Sequence, residues 1–488
     1  MKYSKDGRIR KSINSLGMVS YKSFFYYCAI FLFSIMVTIL IAMDDTRPSY
    51  YKFLPLLPLC HVIIIGICLF INGNIFEEWD TLIAISVYSI RNLITPFIMF
   101  FGEYYGSFLQ LNNSNVFNAI VLMLYETFFV LIFLTIYGNN KKARLYNSNS
   151  IRKGEILYKQ SKVFTVIIDC LVFFCLAVYI LMPTIRKAYT SLFYSTGLRV
   201  TLLKNSDVSG ASGQRSVFTL FQVVFPIAYT FLCVRLLYYI NKKIIINKGL
   251  RLILNVLCIM IPGLFMDGGD GNTIIFISAL LLTALFIDGR LRGGLVKIAI
   301  IGGGSIVLYV FIQAMTSTFI FKRVTIGQNL SNMFQAYFPG VCNMAGLFNM
   351  KSYNKFQQLF FDFYSTIPFR NTLFGLSGIE TTPNLYTIDN NALSHIMPCI
   401  AHSYYYLGFL GPVIPCLFFK KAIDIYNKMQ TTRDPYKYVT YCLLFLYLVL
   451  TPIMYNSVIF LRHFFATFLP MLILCSLNRN SNSPEVYD

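Results

Sequence analysis

Charge is scarce in this chain, and acid scarcer than base. Only 13% of its 488 residues are Asp, Glu, Lys or Arg, with 21 acids against 41 bases. With 56% hydrophobic and 17% aromatic residues, so little charge cannot cover soluble domains without leaving large apolar surfaces in water. A soluble enzyme is thereby excluded. Gly-rich phosphate loops and a G-x-G-x-x-G turn after a strand are also missing, and no cytoplasmic segment is long enough for a nucleotide-binding domain. A sugar nucleotide is therefore not the expected donor, and the energy for any transfer must reside in the substrate. The twelve cysteines stand singly, mostly within apolar runs (Cys28, Cys60, Cys68, Cys170, Cys175, Cys233, Cys258), without a disulfide framework or zinc spacing. No metal or other cofactor is expected. Histidine is limited to His61, His395, His402 and His463, which leaves acid–base chemistry few places to sit.

What the chain does have is long apolar runs, each near the roughly 20 residues that cross a bilayer as a helix. Twelve are expected, at 23–42, 53–72, 81–101, 116–137, 163–183, 217–240, 250–266, 273–287, 295–320, 395–419, 438–456 and 457–476. The expected fold is an all-α polytopic membrane protein with about twelve transmembrane helices, both termini cytoplasmic, and a large outer loop carrying interfacial helices. Residues 1–22 form a cytoplasmic N-terminus, whose Lys2, Lys5, Arg8, Arg10 and Lys11 read as the flank of an uncleaved signal anchor. Helices one to five fill 23–183, a basic outer loop 184–216, helices six to nine 217–320, the large outer loop 321–394, helices ten to twelve 395–476, and a cytoplasmic tail 477–488. Lys and Arg fix this orientation, since 26 of the 41 fall on the cytoplasmic side. Runs such as Lys141, Lys142, Arg144 are thus topology signals, and no nucleic-acid partner is expected.

The bases that break this rule concentrate in the two outer loops. In the first, Ile185, Ala188, Tyr189, Leu192 and Phe193 follow an amphipathic helical spacing, with Arg199, Lys204 and Arg215 after it. The second carries Lys322, Arg323, Lys351, Lys355 and Arg370 against Asp362, Glu380 and Asp389. Its apolar runs, such as QQLFFDFYSTIPF, are too short to span and are expected to pack as re-entrant or interfacial helices. Guanidinium groups on an outer surface suit a phosphate or pyrophosphate, because the planar fork gives two parallel charge-assisted bonds. Such residues also snorkel to lipid phosphates, and both readings stand at this point.

Inside the spans, Glu126, Asp169 and Arg91 suit helix-joining ion pairs or a proton path. His61 and His463 read as packing residues, while Arg462 sits within the last span, where a charge needs a cavity or a partner. His395 and His402, seven apart, share roughly one helix face beside the basic loop. The segment DGGDGN, Asp267 to Asn272, reads as a turn, since two carboxylates are too few for a calcium site.

The pattern resembles the bacterial O-antigen and capsular oligosaccharide repeat-unit polymerases of the Wzy type. The topology of a dozen spans with one dominant late outer loop is similar over the whole chain. Arg199 followed by ten residues and Gly210 fits an Arg-x10-Gly pattern, IPFR (Ile367 to Arg370) resembles an Ile-Pro-Arg-like element of the large loop, and AHSYYYLGFLGPV (Ala401 to Val413) is similar to the Tyr-rich start of the following span. Two departures are present. Arg323 and Arg370 are followed at that distance by Phe334 and Thr381, and a Gly-Ser-Arg element is replaced by DGGDGN.

The resemblance implies a metal-independent glycosyltransferase acting on undecaprenyl-pyrophosphate-linked oligosaccharide, donor and acceptor alike, at the outer face of the bacterial cytoplasmic membrane. A flippase and a chain-length regulator would be its partners, beside membrane lipids. In that reaction Arg199, Arg215, Arg323, Arg370 and Arg462 would hold the pyrophosphate. His395 or His402 would act as base, with Asp362 or Glu380 as the second choice. Tyr337, Tyr364, Tyr386 and Tyr404 would offer faces to sugars. A ligase-like glycosyltransferase and a transporter of the lipid-linked oligosaccharide are the alternatives. The ligase shares nearly all these features; the transporter would place its bases in a central cavity, where this chain has only Arg91, Arg235 and Arg462.

Overall fold

The computed structural model describes residues 20–74, 79–106, 111–138, 161–183, 212–243, 247–265, 270–288, 325–368, 380–391 and 396–478; they are helical, with no strand among the described residues. The N-terminal apolar runs form α1 (Tyr21–Ala42), α2 (Leu56–Asn72), α3 (Trp79–Ser89), α4 (Thr95–Phe101), α5 (Asn113–Gly138) and α6 (Lys162–Leu181). Between α3 and α4 a π turn at Ile90–Ile94 keeps the span continuous. The middle of the chain gives α7 (Ser212–Tyr238), α8 (Lys248–Phe265) and α9 (Asp270–Ile287).

Eight helical segments among the described residues are long and apolar enough to cross a membrane. They are Tyr21–Ala42, Ser49–Asn72, Thr81–Phe101, Asn113–Tyr137, Lys162–Leu181, Leu220–Lys242, Pro435–Met454 and Ser457–Leu477. Each coincides with an expected span, and together they make this a helical membrane protein. Of the other four expected spans, 250–266 and 273–287 correspond to α8 and α9, whose apolar stretches Gly249–Ile259 and Ile275–Ile287 are short. The run 295–320 lies outside the described residues. Of the expected DGGDGN turn, Asp270 and the residues after it already belong to α9.

The tenth expected span, 395–419, needs correction. The chain forms α14 (Cys399–Leu407), turns through Gly408–Leu410, and continues as α15 (Val413–Thr431), the two arms bent by 113°. Gly408 has φ +55° and ψ −129°, backbone that a side chain resists, and a Cβ on Gly411 would meet the Tyr404 backbone at 3.0 Å. Hydropathy averages across such a turn, because Gly, Phe, Leu and Gly in sequence read as apolar.

The segment expected as the large outer loop supplies α10 (Ile326–Tyr337), α11 (Val341–Ala345), α12 (Lys355–Ser365) and α13 (Thr382–Asp389), and the chain closes with α16 (Pro435–Met454), α17 (Ser457–His463) and, after a second π turn, α18 (Leu469–Leu477). Of the large-loop helices, α11 and α13 enter the core. One apolar cluster joins helices α2, α3, α5, α7, α9, α15 and α16. A second joins Val37, Ile41, Val116, Ile120 and Met123 of α1 and α5 to Val341, Met344 and Ala345 of α11, Tyr386 of α13, and Ile400 and Ala401 of α14. The non-helical backbone leading into α14 is satisfied by side chains: Asn343 donates to Ile396 O at 3.2 Å and Asn456 to Met397 O at 3.3 Å. Irregular backbone at depth survives where protein buries it in this way.

Within the spans, charge is paired across helices. Arg91 of the π turn pairs with Glu126 of α5, and Arg235 of α7 with Asp169 of α6 at 2.5 Å. His61 bonds Ser89 Oγ at 2.9 Å, and the His463 ring packs on Tyr447 at 5.0 Å between centroids, both as packing residues.

Candidate active site

The α12 helix is amphipathic in reverse. Asn354 caps it, accepting from Gln357 N at 3.2 Å. Phe356, Leu359, Phe360 and Phe363, spaced i, i+3, i+4 and i+7, are exposed, Phe356 by 84%. Gln358, Asp362 and Ser365 form a buried polar stripe, with Tyr364 the one aromatic of the helix that is buried, so a polar face turns inward while four large apolar side chains turn outward. A short helix with that distribution fits the interfacial reading of this segment.

Asp362, only 3% exposed, is the centre of the inward face. Its Oδ2 lies 2.8 Å from His402 Nε2 and accepts the Tyr406 hydroxyl at 2.7 Å; its Oδ1 accepts the Thr382 backbone N–H at 2.7 Å. The Tyr406 proton being committed to the carboxylate, the Thr382 hydroxyl donates to Tyr406 Oη at 2.6 Å. Three elements thus converge: α12 supplies the acid, α14 the histidine and tyrosine one turn apart, and the N-terminus of α13 the amide. Thr381 caps α13 by accepting from Asn384 N at 3.4 Å, which leaves the Thr382 N–H for Asp362. Burial alone would push the Asp362 carboxyl up, but the His402 ring, the Tyr406 hydroxyl and the Thr382 amide outweigh it and hold the group below the usual carboxylate range. A carboxylate kept ionised beside an imidazole orients that ring. The arrangement can therefore take a proton from a bound hydroxyl.

No family model, curated protein or solved structure matches the chain.

Two of the four acid–base candidates, Asp362 and His402, meet directly. Glu380 is exposed, two residues ahead of Thr382, and His395 lies outside the described residues. Arg199, Arg323 and Arg370 lie there too, and the side chain of Arg215, near the start of α7, is not described. Arg462 is exposed on α17, the helix against which α12 packs. Among the tyrosines expected to offer ring faces, Tyr386 is fully buried and donates to Asn343 O at 2.7 Å. Tyr364 is buried against Phe360, with rings stacked 6.1 Å apart. Tyr404 is half-buried, edge-on to Phe348 and Phe409, and the Tyr337 side chain is not described.

Sequence reasoning passed over Tyr406 and Thr382. Tyr406 was accessible in principle, since it follows His402 by four residues on one helix face, whereas Tyr404 faces away from His402. Thr382 acts through its backbone and hydroxyl from a separate helix, and no local spacing signals that.

Proposed function

We propose that this chain is a membrane glycosyltransferase that polymerises undecaprenyl-pyrophosphate-linked oligosaccharide repeat units for a bacterial surface polysaccharide, with its site on the outer face of the cytoplasmic membrane. The observation that supports this best is the Asp362–His402 pair, set where a helix from the large loop meets the broken span. With Nε2–H donated to Asp362, Nδ1 is the basic nitrogen of the ring. The acceptor sugar hydroxyl gives its proton to that nitrogen while its oxygen bonds to the anomeric carbon of the donor chain. The bond from that carbon to the pyrophosphate oxygen breaks, and its electron pair leaves with the lipid pyrophosphate. Asp362 holds the ring in place and stabilises the imidazolium that forms. Arginines of the two basic segments, Arg199, Arg215, Arg323 and Arg370, together with Arg462, are the proposed partners of the leaving pyrophosphate. The reversed amphipathicity of α12 suits a substrate whose reacting end stays at the membrane surface while its polyprenyl tail lies in lipid.

The test is complementation of a strain lacking the chain with Asp362→Asn and His402→Ala. On a silver-stained gel both variants should give a single-repeat product in place of the long-chain ladder, with protein levels like the parent's. Ladders of normal length from both would remove the pair from the chemistry.

A further inference from the structure

The buried stripe of α12 carries one group that the Asp362 network leaves out. Gln358 is 7% exposed, and its Oε1 is buried without a hydrogen-bond partner. It precedes Asp362 by exactly one i, i+4 step on the same face, where side chains are neighbours, about 5–6 Å apart at Cβ. The same side of α12 faces α14 at both ends. Lys355 Nζ sits 5.5 Å from the centroid of the Tyr405 ring, and Asp362 bonds His402 and Tyr406. Gln358 lies between these two contacts.

A buried amide oxygen left without a donor destabilises the fold. Leu or Met would fill the same space at a helical position without that cost. The polar choice is therefore informative. The missing partner must donate a hydrogen bond and must sit one helical turn along α12 from Asp362, the carboxylate that holds the His402 ring.

We infer that Gln358 is the acceptor-sugar subsite residue, accepting a hydrogen bond from a second hydroxyl, or an amide N–H, of the sugar whose neighbouring hydroxyl is deprotonated at His402. This assignment rests on the glycosyltransferase reading of the site and adds to it a recognition element for a polyhydroxylated ring. One donor from the ring to Gln358 and one to the His402–Asp362 pair fix its rotation, so a single hydroxyl is presented for reaction. Gln358 is thereby a positioning and specificity residue, since a site that bonds a hydroxyl discriminates strongly against a sugar lacking it.

The test uses the full chain in lipid nanodiscs and, as probe, lipid-linked repeat units extracted from a strain lacking this chain. Gln358→Met removes the acceptor oxygen and keeps an unbranched side chain, so it should unfold no earlier than the parent. The exposed neighbour variant Gln357→Met is the control. Binding to Gln358→Met should weaken about tenfold, the worth of one good hydrogen bond, with Gln357→Met unchanged. In turnover the loss should appear in KM with kcat nearly kept. Equal binding by the parent and Gln358→Met overturns the subsite. A parent that joins repeat units while Gln358→Met matches it in KM overturns the subsite and leaves the polymerase reading standing. A parent that binds the units in a Gln358-dependent way but never joins them supports the subsite and overturns the polymerase. A parent that does not bind the units overturns both.

Discussion

Glu126 and Asp362 are held by nearly the same kinds of partner. Each is a buried carboxylate that accepts a tyrosine hydroxyl, Tyr88 at 3.0 Å for Glu126 and Tyr406 at 2.7 Å for Asp362, and each faces a basic side chain. The base differs. One is a guanidinium, a side chain with donors only, and the other an imidazole, a side chain with a donor and an acceptor. The setting differs as well. Arg91 is 1% exposed in the middle of a span, its guanidinium also lying 5.1 Å from the Tyr88 ring centroid. Asp362 hangs from a short helix whose neighbours Tyr405 and Tyr406 are only half-buried. The first pair is a lock between helices; the second is the one to which the proposed reaction assigns proton transfer.

The largest effect should come from opening the lock. Removing one partner of a buried ion pair leaves an uncompensated charge, so Arg91→Ala should cost about 3–5 kcal/mol. It should be seen as a lower thermal midpoint and a poor yield of monodisperse protein. Replacing both groups, Arg91→Met with Glu126→Leu, should recover most of that loss. If the double variant folds well but makes no polymer, the Arg91–Glu126 pair belongs to the chemistry and the comparison fails.

A smaller effect separates the two tyrosines. A hydrogen bond to a charged group is worth about 1.5–3 kcal/mol, so Tyr88→Phe should lower stability by that order while long-chain polymer persists. Tyr406→Phe removes the matching bond from Asp362, and its deficit should fall on turnover. Equal losses of polymer from both, measured at matched protein levels, would erase the distinction between lock and site.

Much of this was legible from residues alone, for reasons that can be named. Eight spans follow from runs of apolar residues because lipid demands them, and the short α12 follows from an apolar run too brief to cross. Arg91, Glu126 and Asp169 stood out because ionised groups in spans need partners. The bend at Gly408 was not legible, because hydropathy measures composition and the turn is set by backbone angles. Asp362 and His402 stood among the candidates, but their meeting was not legible. They are 40 residues apart on separate helices, and only tertiary packing, with α12 seated against α13 and α17, brings them together.

The bend gives the next effect in size. Gly408 at φ +55° and ψ −129° lies in backbone space sparsely populated by residues with a side chain, at a cost of about 1–3 kcal/mol, so Gly408→Ala should strain the turn that points α14 at α12. Because the Arg91–Glu126 lock lies elsewhere, the variant should lose polymer out of proportion to its modest shift in thermal midpoint. A variant with full polymer and an unshifted midpoint would show that the turn does not set the position of His402.

The smallest effect is a slope with pH. Asp362 is held below its ordinary value when folded, so between that value and the unfolded one, near 4, the unfolded chain binds more protons than the folded one. Stability from this group is therefore complete above the unfolded value and is lost as pH falls through the folded one. Asp362→Asn cannot titrate and carries no such term. The gap in thermal midpoint between the parent and Asp362→Asn should be constant from neutral pH down to about 5 and should close below about 4. A gap that stays constant down to the acid limit of the folded protein would mean that His402, Tyr406 and Thr382 do not favour the ionised carboxylate. His402 would then lack the ionised partner on which the proposed proton transfer depends.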